Sequence, residues 1–271
     1  MSSERLRVRG ARAILIVTEA PASGACVDRR SNTAIDRGQP FRAMTERSRV
    51  PTGNPILDTA LGGGLPAGAL LLLDGEEGAG ATEFALSILR GVARGQMGRK
   101  ARFSTVLRPA ASVAREAAAL FEDEKLGATI EVQVMDPANA PEGCRVALKG
   151  LAGGDVLVLE SAAALYRALP ERAFTSILQG LRDAVAEAGA TVLVLHASGS
   201  IPATVEAEMA EVADGVFSFR WRDGGTSRRR LLAVTKLRGL APILDGDEVP
   251  VYEAGLHRGL GFSLSQVKSV V

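Results

Sequence analysis

From residue 69 onward the apolar positions switch repeatedly between continuous runs and helical spacing. ALLLLDG, residues 69–75, is an unbroken apolar run closed by glycine and predicts a strand buried on both faces. Across Thr82–Met97 the apolar residues Phe84, Ile88, Leu89 and Val92 fall on one helical face. The alternation continues with a strand over Ala101–Leu107, a helix over Ala111–Phe121, a strand over Thr129–Val134 and a helix across Glu142–Leu151. DVLVLE, residues 155–160, is a second buried strand, followed by helices over Ala162–Leu169 and Glu171–Ala188 and a strand over Thr191–His196. Strands alternating with helices predict βαβ units on a largely parallel sheet with helices on both faces.

The last quarter has a different period. VFSFRWRDGGTSRRRLLAVTKL holds two β-rich runs around Asp223–Gly224–Gly225, which predicts a hairpin. Shorter strand-like pieces follow near Val249–Tyr252 and Leu260–Leu264, so the sheet is expected to end in antiparallel strands. Residues 1–43 are rich in Arg, Ser, Gly and Pro and show sustained apolarity only at Ala13–Val17, so they read as a flexible tail. The orderly pattern starts just after Met44, which makes Met44 a candidate natural start and 44–271 the folded domain.

Composition changes this picture little. Lys and Arg total 32 against 31 Asp and Glu, a balance with no global pull toward nucleic acid or an anionic membrane. Cys26 and Cys144 lie far apart with no metal-ligand spacing, which suggests a reducing, cytoplasmic compartment and no zinc site. The apolar runs are too short to span a bilayer. Arg5, Arg7, Arg9 and Arg12 before AILIV imitate a signal peptide, but the apolar stretch is short and polar sequence follows.

Candidate chemistry centres on GEEGAGAT, residues 75–82. It follows the phosphate-loop pattern G-x-x-x-x-G-K-[ST] except at Ala81, where the lysine belongs. Such a loop between a buried strand and a helix holds phosphate because glycines let backbone N–H groups turn inward at a helix N-terminus.

The flanking residues carry a resemblance. TGNPILDTALGGGLPAG ahead of the strand, then ADGVFSF, LLAVTKLRG and YEAGLHRGLGF near the C-terminus, resemble in order the motifs of the RecA-like ATPases of the KaiC type, over roughly residues 51–264. The resemblance implies an α/β RecA-like core and an ATP and magnesium site. Gly75, Gly78, Ala79 and Gly80 would contribute to the loop, Ala81 would stand at the lysine position, and Thr82 would give the magnesium-coordinating hydroxyl. Glu160 matches the magnesium-orienting acidic residue. Leu107–Arg108 stands where the family places a pair of glutamates that activate water. Lys236 and Arg238 match a K-x-R pair that, in ring-forming relatives, reaches the neighbour's nucleotide.

These departures favour a degenerate member with no catalytic residue of its own. Losing the lysine removes about 1.5–3 kcal/mol of phosphate contact, a roughly ten- to two-hundredfold loss that still permits weak ATP binding. Arg108 could stand in for the lysine or form a salt bridge with Glu160. His196 could sense a terminal phosphate or simply be hydrogen-bonded at a strand end. The expected role is regulation or assembly, in a homo-oligomer or a mixed oligomer with an active KaiC-type paralogue. A slow ATPase using Arg108 and Glu160 is the first alternative. A nucleic-acid-binding protein using the basic hairpin around Arg220, Trp221, Arg222 and Arg228–Arg230 is the second and less favoured one.

Overall fold

A computed structural model describes residues 49–95, 98–224, 227–238 and 251–266. The chain divides into Met1–Ala43 and Met44–Val271, and only the second unit contains described residues. The tail, Met44 and the Ala13–Val17 run therefore lie outside them, as do Cys26, Met97, Gly225 and the start of the Val249–Tyr252 piece.

The first element shows why TGNPILD has its composition. Helix α1 (Pro55–Ala60) follows the short strand β1 (Arg49–Val50), and the Asn54 side chain accepts from the backbone N–H groups of Ile56 and Leu57. Proline at the first helical position lacks only an N–H that the helix would leave unbonded. Asp58 then accepts from the Thr52 N–H at 2.7 Å and from its hydroxyl at 2.8 Å. The chain returns through β2 (Leu65–Pro66), antiparallel to β1.

Strand β3 (Leu70–Gly75) leads into α2 (Ala81–Arg94), then β4 (Ala101–Thr105), α3 (Ala110–Phe121), the short α4 (Leu126–Thr129) and β5 (Glu131–Val134). Helix α5 (Ala140–Leu148) precedes β6 (Val156–Glu160), α6 (Ala162–Ala168), α7 (Glu171–Ala188) and β7 (Thr191–Ala197). Helix α8 (Ala203–Val212) then leads to β8 (Gly215–Asp223), β9 (Arg228–Leu237), β10 (Val251–His257) and β11 (Gly261–Gln266). The main sheet runs in the order β11-β10-β9-β8-β3-β7-β6-β4-β5. It is parallel from β8 through β5 and antiparallel from β8 through β11.

Alternation along β3 divides the interior into two cores. Leu71 and Leu73 join Phe84, Ile88 and Phe103 on the α2 and α3 face, whereas Leu70 and Leu72 join Leu157, Phe174 and Leu178 on the α7 and α8 face. The first core has an aromatic centre, with the Phe84 ring 5.4 Å from Phe219 and 5.2 Å from Phe262. These contacts fasten α2 to strands from both ends of the sheet's antiparallel part.

The helix after β4 and the 171–188 helix fall where the pattern places them, while α5 starts and stops earlier than Glu142–Leu151. Helix α8 was not expected at all. Its sequence ATVEAEMAEV buries only Val205 and Met209, too little to make an apolar stripe legible.

Phe84→Ala should cost about 3–5 kcal/mol, because the truncation leaves a cavity among rings that cannot collapse; urea unfolding monitored by circular dichroism measures it. Cys144, in the other core, has its thiol pushed up to about 11 by burial. Thiolate is thus scarce in the folded state, and alkylation at mildly alkaline pH should label Cys144 only after denaturant opens this layer, as peptide mass spectrometry would record.

Candidate functional site

The GEEGAGAT segment joins the carboxyl end of β3 to the start of α2. Gly78 (φ 73°) and Gly80 (φ 107°) are both left-handed, a region that side chains with a Cβ avoid. At Gly80 a Cβ would also lie 2.9 Å from the Phe262 ring, so two constraints require glycine there. Within the loop, Glu76 N–H donates to the Phe219 carbonyl and Ala79 N–H to the Glu76 carbonyl, both at 3.0 Å. The N–H groups of Gly78, Gly80, Ala81 and Thr82 meet no backbone acceptor among the described residues. Such converging free amides at the N-terminus of a fourteen-residue helix attract an anion.

The loop is held from outside by the antiparallel strands. Trp221 on β8 donates its backbone N–H to the Glu76 carboxylate at 2.9 Å and its indole N–H to the Glu77 carbonyl at 3.0 Å. Arg230 on β9 donates to the Gly78 carbonyl at 3.1 Å, and its guanidinium stacks 4.5 Å from the Trp221 ring. Sequence reasoning missed these fasteners, which join residues about 150 positions apart with no local signal. They hold Glu76, Glu77 and Gly78 of the loop to the antiparallel strands.

Beside the loop is a cleft of about 400 Å³ lined by Glu76, Ala81, Thr82, Leu107, Glu160 and His196, among others. Register explains the gathering: Thr105 pairs with Glu160, Glu160 with Leu195 and Leu195 with Leu73, so these strand ends form one row. The cleft sits at the carboxyl edge of the parallel strands, where open α/β sheets place ligands.

Glu160 is almost fully buried, and its Oε2 accepts from the Thr105 hydroxyl at 2.7 Å and from Arg108 Nε at 2.9 Å. Arg108 also pairs with Glu116 on α3. Burial opposes the Arg108 charge, but the hydrogen bonds and fields of Glu160 and Glu116 outweigh it and raise its pKa. Thr82 lies at the cleft, but Glu160 does not fit a magnesium ligand in this arrangement. Its Oε2 already has a guanidinium as counter-charge, and a dication would meet that guanidinium's repulsion. Among the described residues no three His, Cys, Asp or Glu side chains are placed to hold a metal ion.

His196 is buried at the end of β7, with Nε2 2.8 Å from Glu206 on α8 and Nδ1 unpartnered. Next to it, Asp74 accepts from the Ser198 hydroxyl at 2.6 Å and pairs with Arg220.

Lys236 and Arg238 lie away from this cleft. Antiparallel pairing sets Lys236 opposite Val216 and Leu237 opposite Gly215, toward the amino end of β3. Lys236 Nζ donates to the Ala210 carbonyl at 2.6 Å and to that of Glu211 at 3.0 Å, and Arg238 adds a bond to Glu211 at 3.0 Å. Both cations thus cap the C-terminus of α8, where the helix dipole favours them. Burial and then the neighbouring Arg238 charge lower the Lys236 pKa. Asp214 joins the same cluster: it accepts from Leu70 N–H at 3.1 Å and pairs with Arg182 and Arg238. In the basic hairpin Arg220 pairs with Asp74, Arg228 with Asp223 and Arg229 with Glu253, while Arg230 rests on a carbonyl and the Trp221 ring.

A RecA-like α/β fold with a glycine-rich turn between β3 and α2 is the class that this geometry defines. Residues 49–246 match the model of a family of unknown function, DUF7125, and since that is more than half of the chain, the chain belongs to this family. Among solved structures it is similar to a KaiC-like protein from the hyperthermophilic archaeon Pyrococcus horikoshii OT3, with a TM-score of 0.64 and 22% identity over 80% of this chain and 99% of that one. That likeness shows the RecA-like fold. No curated protein matches the chain. No helix among the described residues is long and apolar enough to cross a membrane.

Replacing Lys236 with Met should lower stability by about 1–2 kcal/mol through loss of the α8 cap. Equilibrium unfolding would measure this, with no change in ligand affinity at the distant cleft.

Proposed function

We propose that this protein is a non-hydrolysing RecA-like protein that holds a nucleotide weakly by its phosphates on the GEEGAGAT loop and acts as a regulatory or assembly component. One observation carries the reading: the loop keeps open amides and left-handed glycines while the charged groups for chemistry are absent or engaged. Gly75, Gly78, Gly80 and Thr82 form the cradle, with Ala81 contributing a methyl where a cation would contact phosphate; Ala79, expected in the loop from the sequence, is buried behind it with its N–H on the Glu76 carbonyl.

Hydrolysis needs a positioned base for water as well as charge neutralisation. Leu107 faces the cleft at the position where the related ATPases carry a glutamate, and Glu160 is bonded to Arg108 and Thr105. The slow-ATPase reading loses support on this ground, and the nucleic-acid reading loses it through the ion pairs of the hairpin. A protein that binds without turning over acts through its partners, here a second copy or an active KaiC-type relative. Lys236 and Arg238 serve α8 within the chain, so a role for them at a neighbour's nucleotide would draw on the remaining donors of Arg238, which is about half exposed.

Calorimetric titration with ATP tests the proposal. The natural protein should bind in the high micromolar to millimolar range without phosphate release, and Ala81→Lys should tighten binding roughly ten- to two-hundredfold. No heat from either protein would mean that the loop serves the backbone only.

A further inference from the structure

We infer that Arg108 takes the place of a divalent cation in this cleft, so that phosphate binding is independent of magnesium and in competition with Glu160 for the guanidinium. The inference rests on the reading that a phosphate docks on the GEEGAGAT loop, and it names the counter-charge that the ligand would use there.

The cleft is rich in acid. Glu76, Glu77, Glu83 and Glu160 all line it, and its loop has no lysine. A polyphosphate entering it needs a cation, and the basic residues fastened around the loop are committed elsewhere. Arg230 lies on the Gly78 carbonyl and the Trp221 ring, and Arg220 lies on Asp74. Arg108 differs in what it holds: its partner Glu160 is itself a wall of the cleft, 2.9 Å from Arg108 Nε.

A guanidinium has five N–H donors in a planar fork, and Glu160 and Glu116 each engage it at one nitrogen. Donors therefore remain for a phosphate oxygen. The stem is positioned by its surroundings: Leu107 N–H donates to the Thr105 hydroxyl at 3.0 Å, and the guanidinium lies 5.7 Å from the Phe103 ring. The Arg108 side chain is about one quarter exposed, so it is not sealed from a ligand that reaches Glu160 at the cleft wall. A divalent cation would supply positive charge to the phosphate; Arg108 would supply a single charge and its hydrogen bonds, which Glu160 already claims in part.

The two arrangements differ in the sign of a Glu160 mutation. If Glu160 orients a metal, removing its charge weakens nucleotide binding. If it competes for Arg108, removing its charge frees the guanidinium and leaves binding equal or tighter.

The test is calorimetric titration of the 271-residue protein with ATP, once in excess EDTA and once in excess magnesium, for the natural protein, Arg108→Ala, Arg108→Lys and Glu160→Gln. The expected result is affinity within about threefold in the two buffers, a loss of about tenfold or more in Arg108→Ala, a smaller loss in Arg108→Lys, and equal or higher affinity in Glu160→Gln. Binding confined to magnesium, with Glu160→Gln at least about tenfold weaker, would overturn the inference and leave the phosphate reading standing. Binding in neither buffer would remove both. Should Arg108→Ala fail to fold, the direction of the Glu160→Gln change in magnesium still decides.

Discussion

Strand β3 has no face to turn toward water, and the fold is arranged around that constraint. Its four leucines alternate between two cores, so helices have to cover both sides of the sheet, and β7 and β8 have to flank it on both edges. Burying each leucine contributes about 1.5–3 kcal/mol, which makes any other register of this strand costly. The chain can leave such a strand only at the sheet's carboxyl edge. The GEEGAGAT turn, Glu160 and His196 therefore share one edge because their strands are locked in register, whatever chemistry they retain.

Locking the strands does not by itself hold a glycine-rich turn in one shape. Here that shape is maintained from the antiparallel half of the sheet. Trp221 and Arg230 bond to loop oxygens, and Phe262 packs against Gly80 and the Phe84 ring. These interactions all lie within the chain, so loop order does not have to be drawn from binding energy.

Much of this architecture was legible from the sequence because the central strands are apolar runs and α2 and α7 have clear stripes. Helix α8 was illegible because Ala and Glu dominate it and only two of its side chains are buried. The loop could be read from its glycine spacing, and its position next to Glu160 followed from the alternation of strands. What the spacing could not give were contacts between distant positions. The Trp221 and Arg230 fasteners depend on how β8 and β9 pair, and the seating of Lys236 and Arg238 on α8 depends on a helix that the pattern did not reveal. For Arg108, both a lysine substitute and a partner of Glu160 were open from sequence; the structure places it on Glu160, and that contact then raises the question of what a ligand would do to it.

The absence of lysine at 81 and the presence of arginine at 108 are best understood together. Without either cation, Glu160 would be a buried carboxylate with one hydroxyl partner, in a cleft with three further glutamates. Arg108 supplies the opposite charge that a carboxylate so placed requires. Arg108 therefore has a structural reason to be present even in an empty cleft. The same geometry gives it a second consequence. On the reading proposed above, an incoming phosphate has to draw Arg108 away from a carboxylate that also needs it.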